Sequence, residues 1–194
     1  MNSAVRDFRI DHAVSPDDFR GAMRHLAGGV SVVTAGRGQN ITGMTVTSVT
    51  SLSVEPATLI VSINRHASTW PLLRRERFFG VNILSSDQLD IAERFTGKSG
   101  LKGVDRFAGA QWTTSVSGAP LLIGALSAID CEVEDIFERH SHAIVVGRVL
   151  DIVTSSRTAA LAYWQGRYVA IDQDEDAVGL AEVSRPKARA LRRT

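Results

Sequence analysis

The chain has 194 residues, 44% hydrophobic and 22% charged, which suits one globular domain with its own buried core. Its 22 Lys and Arg against 21 Asp and Glu leave a net charge of +1, so the composition asks for neither a nucleic acid nor a membrane surface. The single cysteine, Cys131, excludes an intrachain disulfide and an all-cysteine metal site.

No apolar run approaches a membrane span, and residues 1–18 lack the apolar core of a signal peptide. A cytoplasmic location is the expectation, with residues 1–14 as an N-terminal extension. Ser15 then caps a helix, with Pro16 at its first position and Asp17 and Asp18 in its first turn. Phe19, Ala22, Met23 and Leu26 recur at helical spacing, and Gly28-Gly29 ends the helix. Residues 30–35 form a short β run, and residues 36–40 turn it into the next stretch as a hairpin.

Residues 41–70 are the densest in chemistry. Seven of the twelve residues from 42 to 53 are Ser or Thr. Thr45 and Thr47 share one side of an extended chain, with Met44 and Val46 on the other. Beyond Thr47 the alternation fails, which predicts a bulge or turn that re-aims hydroxyls and backbone N–H groups. A turn at Glu55-Pro56 leads into an apolar strand over 58–63. Pro71 then suits the first turn of a helix over 70–76, and Ser68 or Thr69 suits its cap. With Arg65 nearby, that helix start reads either as an anion site or as an ordinary capped helix.

Residues 78–84 read as a buried strand, and Ser85-Ser86-Asp87 caps a helix running to about Phe95. Residues 96–100 loosely resemble a phosphate loop but lack its spacing and follow a helix rather than a strand, leaving Lys98 as a single cation within reach of a ligand phosphate. Residues 96–120 are a long glycine-rich loop. Strands follow within 121–136, then a turn over 138–142, a returning strand over 143–153, a short helix over 155–164 and a last strand over 167–171. Residues 172–194, acidic and then basic, read as a charged flexible tail outside a domain spanning 15–171. The expected architecture is mainly β with short helices. It has no Rossmann glycine motif, no Gly-x-Ser-x-Gly elbow and no His-Glu-x-x-His. Strands with covered edges suggest a closed barrel.

These residues carry a resemblance. Residues 43–53 with Glu55-Pro56 resemble the signature of the short-chain flavin reductases, the FMN-binding split β-barrel partners of two-component monooxygenases. Asn64-Arg65 with Ser68-Thr69, residues 80–84, Arg94-Phe95, residues 103–107, residues 118–120 and residues 164–168 follow in the family's order, covering about residues 17–171. Residues 67–71 resemble the reductase of uracil degradation; reductases for phenolic-acid hydroxylases are also similar.

The resemblance implies hydride transfer from NADH or NADPH to FMN, with FAD as the alternative flavin. Reduced flavin is then released to a partner monooxygenase of the aromatic-hydroxylase or pyrimidine-degradation type. It also implies a homodimer with the flavin near the subunit boundary. Thr45, Val46, Thr47 and Ser48 would meet the isoalloxazine edge; Ser62, Ile63 and Asn64 would line the ribityl chain. Ser68 and Thr69 would hold the phosphate, with Arg94, Phe95 and Lys98 closing that end. His142 matches the family's histidine and would contact the nicotinamide, although His140-Ser141-His142 lacks the Asp of the family's Gly-Asp-His turn. Tyr168 either stacks on the cofactor or belongs to the core. His140 and His142 have no third ligand, so no metal is expected. Two other classes stay open: an electron carrier that keeps its FMN, and a non-enzymatic split-barrel binding module.

Overall fold

The computed structural model describes residues 13–98 and 100–172, so most of the predicted extension 1–14 and nearly all of the tail 172–194 lie outside the described residues. The first hairpin is β2 (Ser31–Arg37) and β3 (Asn40–Val46). A short link leads to β4 (Thr50–Val54) and β5 (Ala57–Asn64), and helix α2 (Thr69–Glu76) follows. After β6 (Phe78–Ile83) and helix α3 (Leu89–Arg94), two 13-residue strands, β9 (Ser127–Arg139) and β10 (His142–Thr154), form a long hairpin. These strands make one antiparallel sheet in the order β3-β2-β6-β9-β10-β5-β4.

That order makes the sheet curl. β3 and β4 are its two edges, yet only Thr47, Ser48 and Val49 separate them in the chain. Four backbone steps span at most about 14 Å. Seven strands laid flat would separate their outer members by roughly 29 Å. The edges must therefore come together, giving a mainly β split barrel whose opening lies at residues 47–49. Ser48 fastens the opening: its Oγ donates to the Ser62 carbonyl (2.9 Å) and accepts from the Ser62 N–H (3.3 Å).

Two cores flank the sheet. Val33, Val61, Ile63, Leu73, Phe79 and Val145 pack in one, under α2. Val32, Leu84, Phe95, Phe107 and Leu161 pack in the other, under α3 and the loops after it. β2 lies between them, which is why residues 31–36 are buried without alternation. The buried Asn82 is satisfied, its Nδ2–H donating to the Val32 carbonyl (3.0 Å) and its Oδ1 accepting from the Leu122 N–H (2.6 Å). The buried Asp130 carboxylate accepts from the Ser117 N–H (2.7 Å) and hydroxyl.

Several expectations are corrected. Residues 155–164 form no helix: Ala160–Trp164 is a strand, β11, paired with β12 (Arg167–Ile171) on one side and with β1 (Gly28–Gly29) on the other. The helix-forming preference of Ala and Leu yields there to pairing with two neighbours. The glycines at 28–29 are therefore strand rather than helix end, and helix α1 (Pro16–Met23) stops earlier. Its predicted apolar face is not core, since Phe19, Met23 and Leu26 are 61%, 45% and 66% exposed. The Ser15 cap is present, accepting from the Asp18 N–H. The turn expected over 138–142 narrows to His140-Ser141, because β9 runs through Arg139. The loop over 96–120 contains a 3-10 turn (Gly103–Phe107) and β7 (Trp112–Thr114), which pairs with β8 (Pro120–Leu122).

Gly43 is where the first hairpin meets the second core. A Cβ there would lie 2.8 Å from the Phe95 ring and 3.0 Å from the Val33 carbonyl oxygen. Phe95 cannot retreat, because Phe107 and Trp112 hold it edge-on at 5.1 and 5.7 Å. Gly43→Ala should therefore destabilise the protein by about 1–3 kcal/mol, as overpacking of a filled core does. A lowered urea midpoint at unchanged slope would show it; an unshifted midpoint would show that the core is looser than this packing implies.

Candidate functional site

The bridge between the sheet edges is also where the hydroxyl-rich stretch leaves regular structure. Most of its hydroxyls are already occupied. The Thr45 Oγ1–H donates to the Ala92 carbonyl (2.6 Å) and the Thr45 N–H to the Phe95 carbonyl (3.2 Å), tying β3 to α3. Ser48 is committed to Ser62. Thr47 is exposed. The predicted re-aiming at residues 47–49 thus occurs, but the Thr45 and Ser48 hydroxyls serve mainly to hold the strands.

The predicted site residues divide between the two faces of β3. Thr45, Val46, Thr47, Arg94, Lys98 and Tyr168 share one cleft of about 860 Å³. Asp90 and Glu93, three apart on α3, and Tyr163 on β11 also line it. Lys98 follows a shaped turn, in which the Thr96 Oγ1–H donates to the Glu93 carbonyl (2.7 Å) and the Lys98 N–H donates to Thr96 Oγ1 (3.3 Å). Tyr163 and Tyr168 stand edge to face at 5.2 Å on the β11–β12 hairpin. Its turn, Gln165-Gly166, has both residues at positive φ, as tight hairpins with matching twist require. Burial first, then the Tyr163 phenol and the Glu93 carboxylate, hold the Tyr168 phenol above the ordinary tyrosine range.

Ser62, Asn64, Ser68, Thr69 and His142 lie outside that cleft's lining. Thr42, on the opposite side of β3 from Thr45, meets Ser68 (Oγ1 to Oγ, 3.3 Å). Asn64 pairs with His142, and Ser62 with Ile144, across β5 and β10. Arg65 stitches this end to the β9–β10 turn. Its side chain donates to the His140 carbonyl (3.0 Å), its N–H to the Ser141 carbonyl (2.9 Å), and its guanidinium pairs with Glu138 (2.6 Å). Ser141 Oγ lies 2.9 Å from His142 Nδ1, so a serine hydroxyl partners the imidazole.

Three expectations change. Ser68 occupies the cap position of α2 but makes no side-chain cap bond, having turned to Thr42. Thr69 Oγ1 is fully buried and has no hydrogen-bond partner. The Ile63 and Phe95 side chains, 0% and 1% exposed, belong to the two cores, because strand alternation and the turn of α3 aim them inward. Only their backbones can face a ligand. Arg94 and Lys98, placed by the sequence at the same end as Ser68 and Thr69, instead lie across β3 from them; Arg94 rests against Gly109. Asp90, Glu93 and Tyr163 were missed. The i, i+3 spacing of the two acids just before Arg94 was a legible signal, whereas Tyr163 depended on reading 160–164 as a strand.

The chain matches the family model for the flavin reductase like domain over residues 23–172. It is 39% identical over 156 residues to an FMN reductase (NADH) RutF of Pseudomonas syringae pv. syringae, covering 80% of this chain and 86% of that protein. Among solved structures, it is similar to BorF, the flavin reductase component of a bacterial two-component tryptophan halogenase. There the TM-score is 0.75 at 30% identity, over 81% of this chain and 99% of that one. It is also similar to the Streptomyces globisporus C-1027 NADH:FAD oxidoreductase SgcE6 in complex with NAD and FAD fragments, with a TM-score of 0.74 at 28% identity over 85% of this chain and 99% of that one. With a mainly β barrel split at its hydroxyl-rich bridge and a family match across nearly all the described residues, the chain belongs to the flavin reductase family.

Proposed function

We propose that the protein is an NAD(P)H:flavin oxidoreductase that reduces FMN, with FAD as an alternative flavin, and supplies the reduced flavin to a partner monooxygenase. The observation that carries the reading is the opening at residues 47–49, bounded by the 860 Å³ cleft on one side and by the Ser62–Asn64 strand end with His142 on the other. A flavin performs the hydride chemistry itself when bound. The chain's task is therefore to bind, orient and exclude water. Backbone groups of residues 46–49 meet the ring edge. Ser62 and Asn64 follow the ribityl chain, and Ser68 and Thr69 take the phosphate. Thr42, beside Ser68, lies three residues from Thr45, about 10 Å along an extended strand, a span a ribityl phosphate can bridge. The unpartnered Thr69 hydroxyl fits such a ligand, since a buried hydroxyl without a partner costs about 1–3 kcal/mol.

The relatives' names support the reading: RutF is an FMN reductase using NADH, and BorF serves a two-component halogenase. The monooxygenase served is of the aromatic-hydroxylase or pyrimidine-degradation type. A homodimer is part of the same reading. Ile60, Ile144, Val146 and Phe137 share the outer face of β5, β10 and β9, with Ile144 45% and Phe137 56% exposed. Ser62 lies on that face, opposite Ile144, which supports a flavin beside the subunit boundary. Light scattering should give a dimer, and Phe137→Asp with Ile144→Asp should shift it to monomer; a monomeric parent protein would remove this face as an interface.

In the phosphate site, Ser68→Ala with Thr69→Ala should weaken FMN binding far more than riboflavin binding. Each lost hydrogen bond to a charged group is worth about 1.5–3 kcal/mol. Titration calorimetry with both flavins reads the difference. Equal weakening would place the phosphate elsewhere, with Lys98 the next candidate.

Activity is tested by NADH oxidation, which should require added FMN; NADH left unconsumed in the presence of FMN would overturn the proposal. In the same assay His142→Ala should lower kcat/KM by roughly ten- to a hundredfold, about 1.4–2.7 kcal/mol, with FMN affinity little changed. His140→Ala is the control. Damage in His140→Ala with His142→Ala silent would shift the role two residues along the turn.

A further inference from the structure

Gly28 and Gly29 are neighbours on β1 with different surroundings. A Cβ at Gly28 would stand 3.0 Å from the Thr47 Cβ and 3.2 Å from the Thr47 carbonyl oxygen; one at Gly29 would meet nothing within 4 Å. Carbon atoms pack best at about 3.5–4.0 Å, so the first contact is crowded and the second is open. Neither glycine has a positive φ, so alanine at either position keeps an ordinary backbone conformation. What separates the two positions is the neighbour a methyl group would touch.

That contact has a stiff side and a compliant side. β1 is held on β11 through the Gly28–Tyr163 and Gly29–Ala162 pairs. The next residue, Val30, is fully buried; its N–H donates to the Leu161 carbonyl (2.9 Å) and its carbonyl accepts from the Leu84 N–H (3.0 Å). Thr47 is exposed and lies in the bridge between β3 and β4, outside the ladder. A methyl group at position 28 therefore displaces the bridge rather than β1. The displacement passes to Ser48, whose hydroxyl is fastened to the Ser62 backbone.

We propose that Gly28 is a positioning residue for the flavin ring: with no side chain there, the 47–49 bridge seats against β1, and that seat sets where its backbone groups meet the ring edge. The role rests on the reductase reading above, in which residues 46–49 meet that edge. Gly28 acts through Thr47. A shift of a few tenths of an ångström matters because donor–acceptor distances in N–H to O hydrogen bonds span only about 2.7–3.2 Å.

Titration calorimetry of the full chain with riboflavin and with FMN is the test, applied to Gly28→Ala and Gly29→Ala. Gly28→Ala should weaken both flavins alike, by at least about fivefold, the low end of what overpacking produces. Gly29→Ala should bind both as the parent does. The ligand-free proteins give a second readout: hydrogen exchange at the Ser62 N–H, whose acceptor is the Ser48 hydroxyl, should speed up in Gly28→Ala alone. In a Thr47→Gly background, which lacks the crowded Cβ, Gly28→Ala should cost much less riboflavin affinity than in the parent. The proposal is overturned if Gly28→Ala binds riboflavin as the parent does, if it loses FMN alone, or if its cost is the same in the Thr47→Gly background. A Gly28→Ala chain that fails to fold also overturns it, because the bridge would then not be the part that yields. A parent protein that binds neither flavin removes the site reading and this role with it. A parent that binds both, with Gly28→Ala indistinguishable from it, removes this role alone.

Discussion

The constraint on which the structure depends is the three-residue bridge between β3 and β4. Two strands at opposite edges of a seven-stranded sheet are joined by Thr47, Ser48 and Val49. No flat sheet permits that. The sheet closes on itself, and closure is incomplete at residues 47–49, where the backbone is not paired in the ladder. The same geometry explains why β2 is buried on both faces and why α2 and α3 cover opposite sides of β3.

Hydroxyls around the bridge have a division of labour. Thr45 binds α3, Ser48 binds β5 and Thr34 binds the Pro120 carbonyl, so each fixes one strand relative to another. A hydrogen bond of this kind contributes only about 1 kcal/mol net, but leaving its buried members unpaired costs more. Thr69 breaks the pattern, being buried and without a partner. Among the described residues, the Thr69 hydroxyl is the buried side-chain polar atom left without a partner.

Orientation of the imidazole at His142 follows from the turn that bears it. Arg65 pins the turn through two carbonyls and Glu138, and the Ser141 hydroxyl meets Nδ1. A hydroxyl can direct a ring nitrogen without bringing a negative charge.

The sequence by itself determined the local features. The Ser15-Pro16 helix start, the Gly36–Gly38 hairpin, the break after Thr47 and the family signature are legible because capping, turn chemistry and strand alternation act within a few residues. Tertiary structure decided whatever depended on distant partners. Residues 160–164 have the composition of a helix and became a strand because β1 and β12 pair with both edges. The Phe95 ring packs in the second core, where Gly43 leaves room for it. Ser68 and Lys98, 30 residues apart and both suited to a phosphate, fell on opposite faces of β3. A strand's alternation is written in its own residues; which helix covers each of its faces is not, since that depends on how the whole sheet curls.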